Sequence, residues 1–164
     1  MSPRAAWRLE SLGFNEVYDF VPGKDGWFAA GLPSEGTEAA VPRIGELVER
    51  DAPVCRLDES VDAVRARLES TTWDRCMVVN DEGVVLGMVG RKSLRENPGA
   101  LVEDVMREGP STYRPNVSVQ EMLGRMRKYR LKAVPVTTNF GVFIGMVKRE
   151  RLEPVAERGR KEKQ

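Results

Sequence analysis

The stretches CMVVNDEGVVLGMVG (residues 76–90) and VPVTTNFGVFIGMVK (residues 134–148) decide the fold, because they are one pattern written twice, 58 positions apart. Each runs an apolar strand into a turn that ends in glycine, Gly83 or Gly141, and then into a second apolar strand carrying Gly-Met-Val. That is the order of a β-hairpin. Working outward, residues 43–94 align on 101–152 without a gap, with twelve identities in fifty-two positions. These include Arg56/Arg114, Ser60/Ser118, Arg67/Arg125, Gly87/Gly145 and Arg91/Arg149, and apolar matches such as Ile44/Val102 and Val64/Met122 fill the intervals. A fixed offset of this kind marks a duplicated structural unit.

Ser60 and Ser118 stand as N-caps, and Val61, Val64 and Leu68, like Val119, Met122 and Met126, follow at i, i+3 and i+7 on one helical face. A brief strand is expected before each helix, near residues 54–56 and 112–114, and a short helix after each hairpin, near 91–95 and 149–152. The order is β-α-β-β-α, twice: an α/β fold of two tandem repeats packed through their sheets, since a lone hairpin cannot bury its own face. The division is 1–40 for an N-terminal extension with linker, 41–98 and 99–153 for the two repeats, and 154–164 for a charged tail.

Composition removes many functions. The 164 residues include no histidine, so imidazole acid/base chemistry, Ser-His and Cys-His pairs and His-ligated zinc are out. Lys and Arg number 26 against 25 Asp and Glu, which leaves no net field to draw the chain onto nucleic acid or anionic lipid. The basic run 125–132 reads as a helix with a wet face, because no aromatic platform alternates with its charges. No stretch reaches the roughly 18 apolar residues of a membrane span. Cys55 and Cys76 form no C-x-x-C motif and are too few for a disulfide framework, so the expectation is a cytoplasmic protein with no nucleic-acid or membrane partner.

The capped helix, the strand with Val134-Pro135-Val136, the Gly turn and the Gly-Met-Val before a short helix together resemble the cystathionine-β-synthase (CBS) domain. Two in tandem, over about residues 41–153, resemble a CBS pair, or Bateman module. The resemblance implies a non-catalytic regulatory module that dimerises and binds adenosine nucleotides or S-adenosylmethionine in the cleft between the repeats. By family position the ligand-binding candidates are Val54, Gly90 and Ser93 on the first-repeat side and Thr112, Tyr113, Ala133, Val134, Pro135, Lys148, Arg149 and Arg151 on the second. Family members that bind nucleotides carry Thr or Ser for a phosphate and, three residues on, Asp for both ribose hydroxyls. This chain has Gly90 and Ser93 in one repeat and Lys148 and Arg151 in the other. Adenosine ligands are therefore expected to bind weakly or not at all, while the basic cluster at 148–151 leaves a phosphate-bearing ligand open. A homodimer is expected through the long helices, on the premise that Val61, Val64, Leu68, Met122, Leu123 and Met126 offer more apolar face than one small sheet covers. The regulated partner is not named by the sequence.

Residues 4–32 stand outside the repeat. They read as helix-strand-helix, with the strand at Glu16–Phe20, and resemble the C-terminal third of a rhodanese domain. The catalytic loop of such a domain would precede this segment, where only Met1-Ser2-Pro3 stand. The expected role is packing, with Trp7, Trp27 and Phe28 covering a face of the CBS pair; the alternative is a remnant or partner-completed sulfurtransferase. Residues 34–42 read as linker, and 157–164 as disordered.

Overall fold

Serine hydroxyls start both central helices: Ser60 Oγ accepts from the Ala63 N–H at 3.3 Å, and Ser118 Oγ from the Glu121 N–H at 3.2 Å. In the computed structural model, which describes residues 3–36 and 39–161 with side chains through 158, the long helices, hairpins and closing helices of the repeats follow the expected order, but the strand expected near 112–114 is reduced to a single bridge from Tyr113 to Val136, because the strand of that arm forms earlier, at Arg107–Glu108. The elements are α1 (Pro3–Ser11), α2 (Gly23–Ala29), a 3-10 turn (Ile44–Leu47), β1 (Val54–Cys55), α3 (Val61–Glu69), β2 (Arg75–Val79), β3 (Val85–Gly90) and α4 (Arg91–Glu96). After these come α5 (Val102–Val105), β4 (Arg107–Glu108), α6 (Val119–Lys128), β5 (Ala133–Thr137), β6 (Phe143–Lys148) and α7 (Arg149–Lys161).

The hairpins form as the turn residues dictate. Asn80 Oδ1 accepts from the Val84 N–H at 2.8 Å, and its counterpart Thr138 Oγ1 accepts from the Val142 N–H at 3.2 Å. Different side chains thus close the same turn, with Gly83 and Gly141 at φ +77° and +81° supplying the left-handed residue that each needs. The tips then meet: Val84 bridges Val142, Val85 N–H donates to Gly141 O, and Phe143 N–H donates to Gly83 O. Each of these contacts maps onto itself or its mate under the 58-residue shift, so a pseudo-twofold axis passes between the tips.

The packing units are not the sequence units. The first sheet has the order β1-β2-β3-β4, and its last strand belongs to the opening of the second repeat. On the other side Glu49, from the opening of the first repeat, bridges Met146 on β6, and Tyr113 bridges Val136 on β5. The cores obey the same exchange. Ile44 is buried with Val119, Met122 and Leu152, while Val102 is buried with Val61, Val64 and Leu94. Each repeat therefore lends its first ten residues or so, an arm, to its twin. The boundaries 41–98 and 99–153 describe the duplication and not the two cores.

Four further expectations change. Val61, Val64, Leu68, Met122, Leu123 and Met126 are all buried within the single chain, so the surplus apolar face on which the homodimer was premised does not exist. Residues 16–20 are not a strand. They pair with neither sheet, and Phe20 instead meets Trp27 edge-on at 5.6 Å, with the Trp27 indole N–H donating to Pro33 O at 2.8 Å. Trp7 is 67% exposed and covers nothing. What docks the N-terminal segment is α2: Phe28 lies under the Arg43 guanidinium at 4.9 Å, and Ala29 O accepts from Arg50 at 2.6 Å. Finally, the charged tail is helical as far as Lys161, running through Pro154, because Leu152, Val155 and Ala156 pack on the second core and Gln120 bonds Ala156 O at 2.8 Å. Met1, Ser2, Thr37, Glu38 and the last three residues lie outside the described set.

Candidate functional site

Where the base of one hairpin faces the base of the other, a cleft of about 450 Å³ opens. The loop between α3 and β2 supplies Thr72, Trp73 and Asp74 to one wall. The start of β5 supplies Lys132 and Ala133, and the end of β6 with the first turns of α7 supplies Lys148, Arg149, Glu150 and Glu153. Asp74 and Lys132 are counterparts under the repeat, and they face each other with opposite charge. The Arg75 hydrogen bond at 2.8 Å holds the Asp74 carboxyl below its usual range against the cost of partial burial, with Lys132 adding a smaller pull.

Lys148 is fixed from two sides. Its ammonium lies 4.2 Å over the Trp73 ring and 3.0 Å from Glu49 Oε2, while Arg151 Nε stands 3.9 Å from Glu49 Oε1. Trp73 is 3% exposed, so the ring is a rigid floor for the cation. Arg149 is paired with Glu153 at 3.7 Å, and Glu153 is shared with Arg127 at 3.8 Å. Lys132 makes no ion pair within 4 Å among the described residues.

Of the eleven residues expected at a site, Ala133, Lys148 and Arg149 line the cleft. Arg151 stands just outside it, on Glu49. Tyr113 packs on the second core, with Thr112 half-buried beside it. Val134 and Pro135 are buried in β5, where Pro135 O accepts from the Tyr113 N–H. On the first-repeat side Ser93 Oγ is committed to Val105 O at 2.9 Å, Gly90 only caps α4, and Val54 sits on an exposed strand edge. Arg91, the counterpart of Arg149, turns inward to the carbonyls of Leu68, Thr71 and Trp73 at 2.9 to 3.0 Å. The cleft is therefore one-sided. Trp73, Asp74, Lys132 and Glu49 were missed by the sequence reading. The available signal was a paired departure between repeats: Lys148 stands where its twin has Gly90, and Glu49 where its twin has Arg107.

The chain matches the CBS domain over residues 44–98 and again over 102–152. It belongs to the CBS domain family. This CBS pair is 29% identical over 110 residues to an inosine-5'-monophosphate dehydrogenase of Korarchaeum cryptofilum (strain OPF8), covering 66% of the chain but only 23% of that relative. Among solved structures, the cytosolic domain of the Mg2+ channel MgtE in complex with ATP superposes with a TM-score of 0.65 at 21% identity, over 70% of this chain and 48% of that one. CBSX2 in complex with AMP superposes with a TM-score of 0.63 at 18% identity, over 73% and 98%. At such identities the likeness is one of fold. The matches to the family leave residues 1–43 unassigned.

The CBS pair also brings its two cysteines together. Cys55 on β1 and Cys76 on β2 are both buried free thiols. The hydrogen bond with Cys55, reinforced by burial, pushes the Cys76 thiol far above its ordinary value. A thiol held protonated in the folded chain but free to ionise in the unfolded one contributes stability that is intact below about pH 8.5 and is lost above it, by up to about 1.4 kcal/mol per pH unit. Denaturant titrations from pH 7 to 10 are expected to show that decline, and Cys76→Ala to flatten it. Neither thiol should react with a thiol reagent until the chain unfolds; fast native labelling would contradict the packing.

Proposed function

We propose that this CBS pair is a non-catalytic regulatory module whose signal is occupancy of the cleft between the hairpin bases by a small phosphate-bearing anion. Adenosine nucleotides and S-adenosylmethionine are poor ligands in this reading. The observation that carries it is the Glu49 carboxylate gripped by Lys148 and Arg151, at positions where nucleotide-binding relatives resemble one another in carrying a hydroxyl and a carboxylate. Arg151 brings donors where a ribose diol needs acceptors. That MgtE and CBSX2, which share this fold, are found in complex with ATP and AMP supports reading the module as one that takes a phosphate-bearing ligand. The sulfurtransferase alternative lacks a nucleophile: both thiols are buried, and Cys76 is held protonated, whereas sulfur transfer needs an accessible thiolate. The module itself is proposed to be cytoplasmic.

Thermal melting with AMP, ADP, ATP and S-adenosylmethionine tests this. A ligand at about a hundred times its Kd adds about 2.7 kcal/mol, and at this length each kcal/mol moves the midpoint by roughly 2 to 4 °C. The expected shift with any of the four at millimolar concentration is below about 2 °C. A rise above about 5 °C would show a competent adenosine site and overturn the reading.

A further inference from the structure

We propose that Lys148 and Arg151 form a phosphate site which the chain keeps filled with its own Glu49 carboxylate, so that Glu49 sets the threshold at which an external phosphoryl group can enter. The proposal deepens the reading above and rests on it. The two oxygens of this carboxylate are divided between two cations, Oε2 toward Lys148 at 3.0 Å and Oε1 toward Arg151 at 3.9 Å. A phosphoryl group would meet the same pair with two of its own oxygens. The Lys148 ammonium is already placed for it, since the buried Trp73 ring holds it at 4.2 Å. On the same wall Lys132, whose carbonyl accepts from the Arg149 N–H at 2.8 Å, makes no ion pair among the described residues and supplies a further positive charge.

The internal anion is delivered by the arm exchange. Glu49 N–H donates to Met146 O at 2.8 Å, and Met146 N–H donates to Glu49 O at 3.0 Å, two residues before Lys148. Both backbones are thereby fixed, and the carboxylate competes as an intramolecular ligand of high effective concentration. It can also leave without disturbing the sheet, because the side chain is partly exposed and only its own torsions need to turn. The twin position lacks the device, with Gly90 and Ser93 in place of the cations and Arg107 in place of Glu49.

The test is calorimetric titration of inorganic pyrophosphate into the full chain at 15 °C, for wild type, Glu49→Gln, and Glu49→Gln combined with Lys148→Met. Removing the competing charge is expected to raise pyrophosphate affinity at least about ten-fold, the equivalent of about 1.4 kcal/mol. Adding Lys148→Met should return it to the wild-type level. If the glutamine variant proves unfolded by circular dichroism, Glu49→Asp, which keeps the charge but shortens its reach, takes its place with a smaller expected gain. Affinity within two-fold of wild type in the folded variant, or a gain that survives loss of Lys148, would overturn the proposal. Repeating the titration with ADP separates a site that reads the phosphoryl group alone, with equal gains, from one that also reads the nucleoside; both outcomes support the phosphate site. A strong wild-type response to AMP or ATP would instead overturn the preceding reading, and the Glu49 series would still decide this one.

Discussion

Gly145→Ala is expected to cost about 3 kcal/mol or more, and to lower the melting midpoint by roughly 6 to 12 °C. A Cβ built at Gly145 would fall inside the van der Waals limit of the Glu49 carbonyl oxygen and 2.6 Å from Val48 Cγ1. Neither neighbour can retreat, because the Glu49 backbone is locked to Met146 by two hydrogen bonds. The residue also sits at φ +154°, which a side chain disfavours. Its twin Gly87 is a milder case. There the new Cβ would meet Met106 Sδ at 2.7 Å, which a flexible thioether can relieve, and Arg107 O at 2.9 Å, a backbone contact looser than the one at Gly145, with no positive φ to add strain. Gly87→Ala is therefore expected to cost less, about 1 to 2 kcal/mol. Urea denaturation of both variants measures the difference, and equal losses would mean that the two arms do not cross their hairpins as closely as described.

Arg91→Ala should be the next most damaging change, at about 2 to 4 kcal/mol. Its guanidinium gathers three carbonyls, Leu68 O, Thr71 O and Trp73 O, which close the end of α3 and hold the loop that carries the cleft floor. Truncation would strip the guanidinium from the partly buried Thr71 and Trp73 carbonyls, whereas Leu68 O keeps the Thr71 N–H and hydroxyl, and the penalty for unmet acceptors exceeds the net worth of the bonds. Arg149→Ala, at the same place in the twin repeat, removes only a partly exposed pair with Glu153 and is expected to cost under about 1 kcal/mol. Trp73 fluorescence, read in a background where Trp7 and Trp27 are replaced by Phe, should report the loosened loop in the first variant and not in the second.

The duplication, the caps and the hairpins were legible because each leaves a local mark: a serine before an i, i+3, i+7 face, or a glycine at a fixed distance from an apolar strand. Arm exchange leaves none. Ile44 and Val102 align as counterparts whether each packs on its own repeat or on the other, so a repeat alignment is blind to the choice. The strand expected at Glu16–Phe20 had β-forming residues but no neighbour to pair with, and strand propensity has little force without one. The tail misled in the opposite direction. Its charge suggested disorder, while Val155 and Ala156 were enough to anchor one side of a helix on α6. At the site, Lys148 and Arg149 were visible as a basic cluster, but the carboxylate that holds Lys148 comes from 99 residues earlier. Trp73 gave no sign that its ring would meet a cation rather than only fill the core.

The crossing of the arms also decides when the chain can become a protein during its own synthesis. When residues 54–98 have left the ribosome, α3 and the first hairpin exist, but their core still lacks Val102, and their sheet still lacks β4. Ile44 has been made by then and has nowhere to go, since its partners Val147 and Leu152 lie far later in the sequence. The nascent first repeat therefore waits with an open edge, and the first arm waits almost a hundred residues for its place. Closure of the second core is the last event, and the Glu49 to Met146 pairing, among the longest sequence separations in the chain, is what completes it. Such distant pairings slow folding, and an unpaired edge invites association while it lasts. Nascent chains stalled before residue 102 should thus be the protease-sensitive, chaperone-dependent form, and emergence of β6 and α7, rather than of the first repeat, should be the moment at which both halves become resistant together.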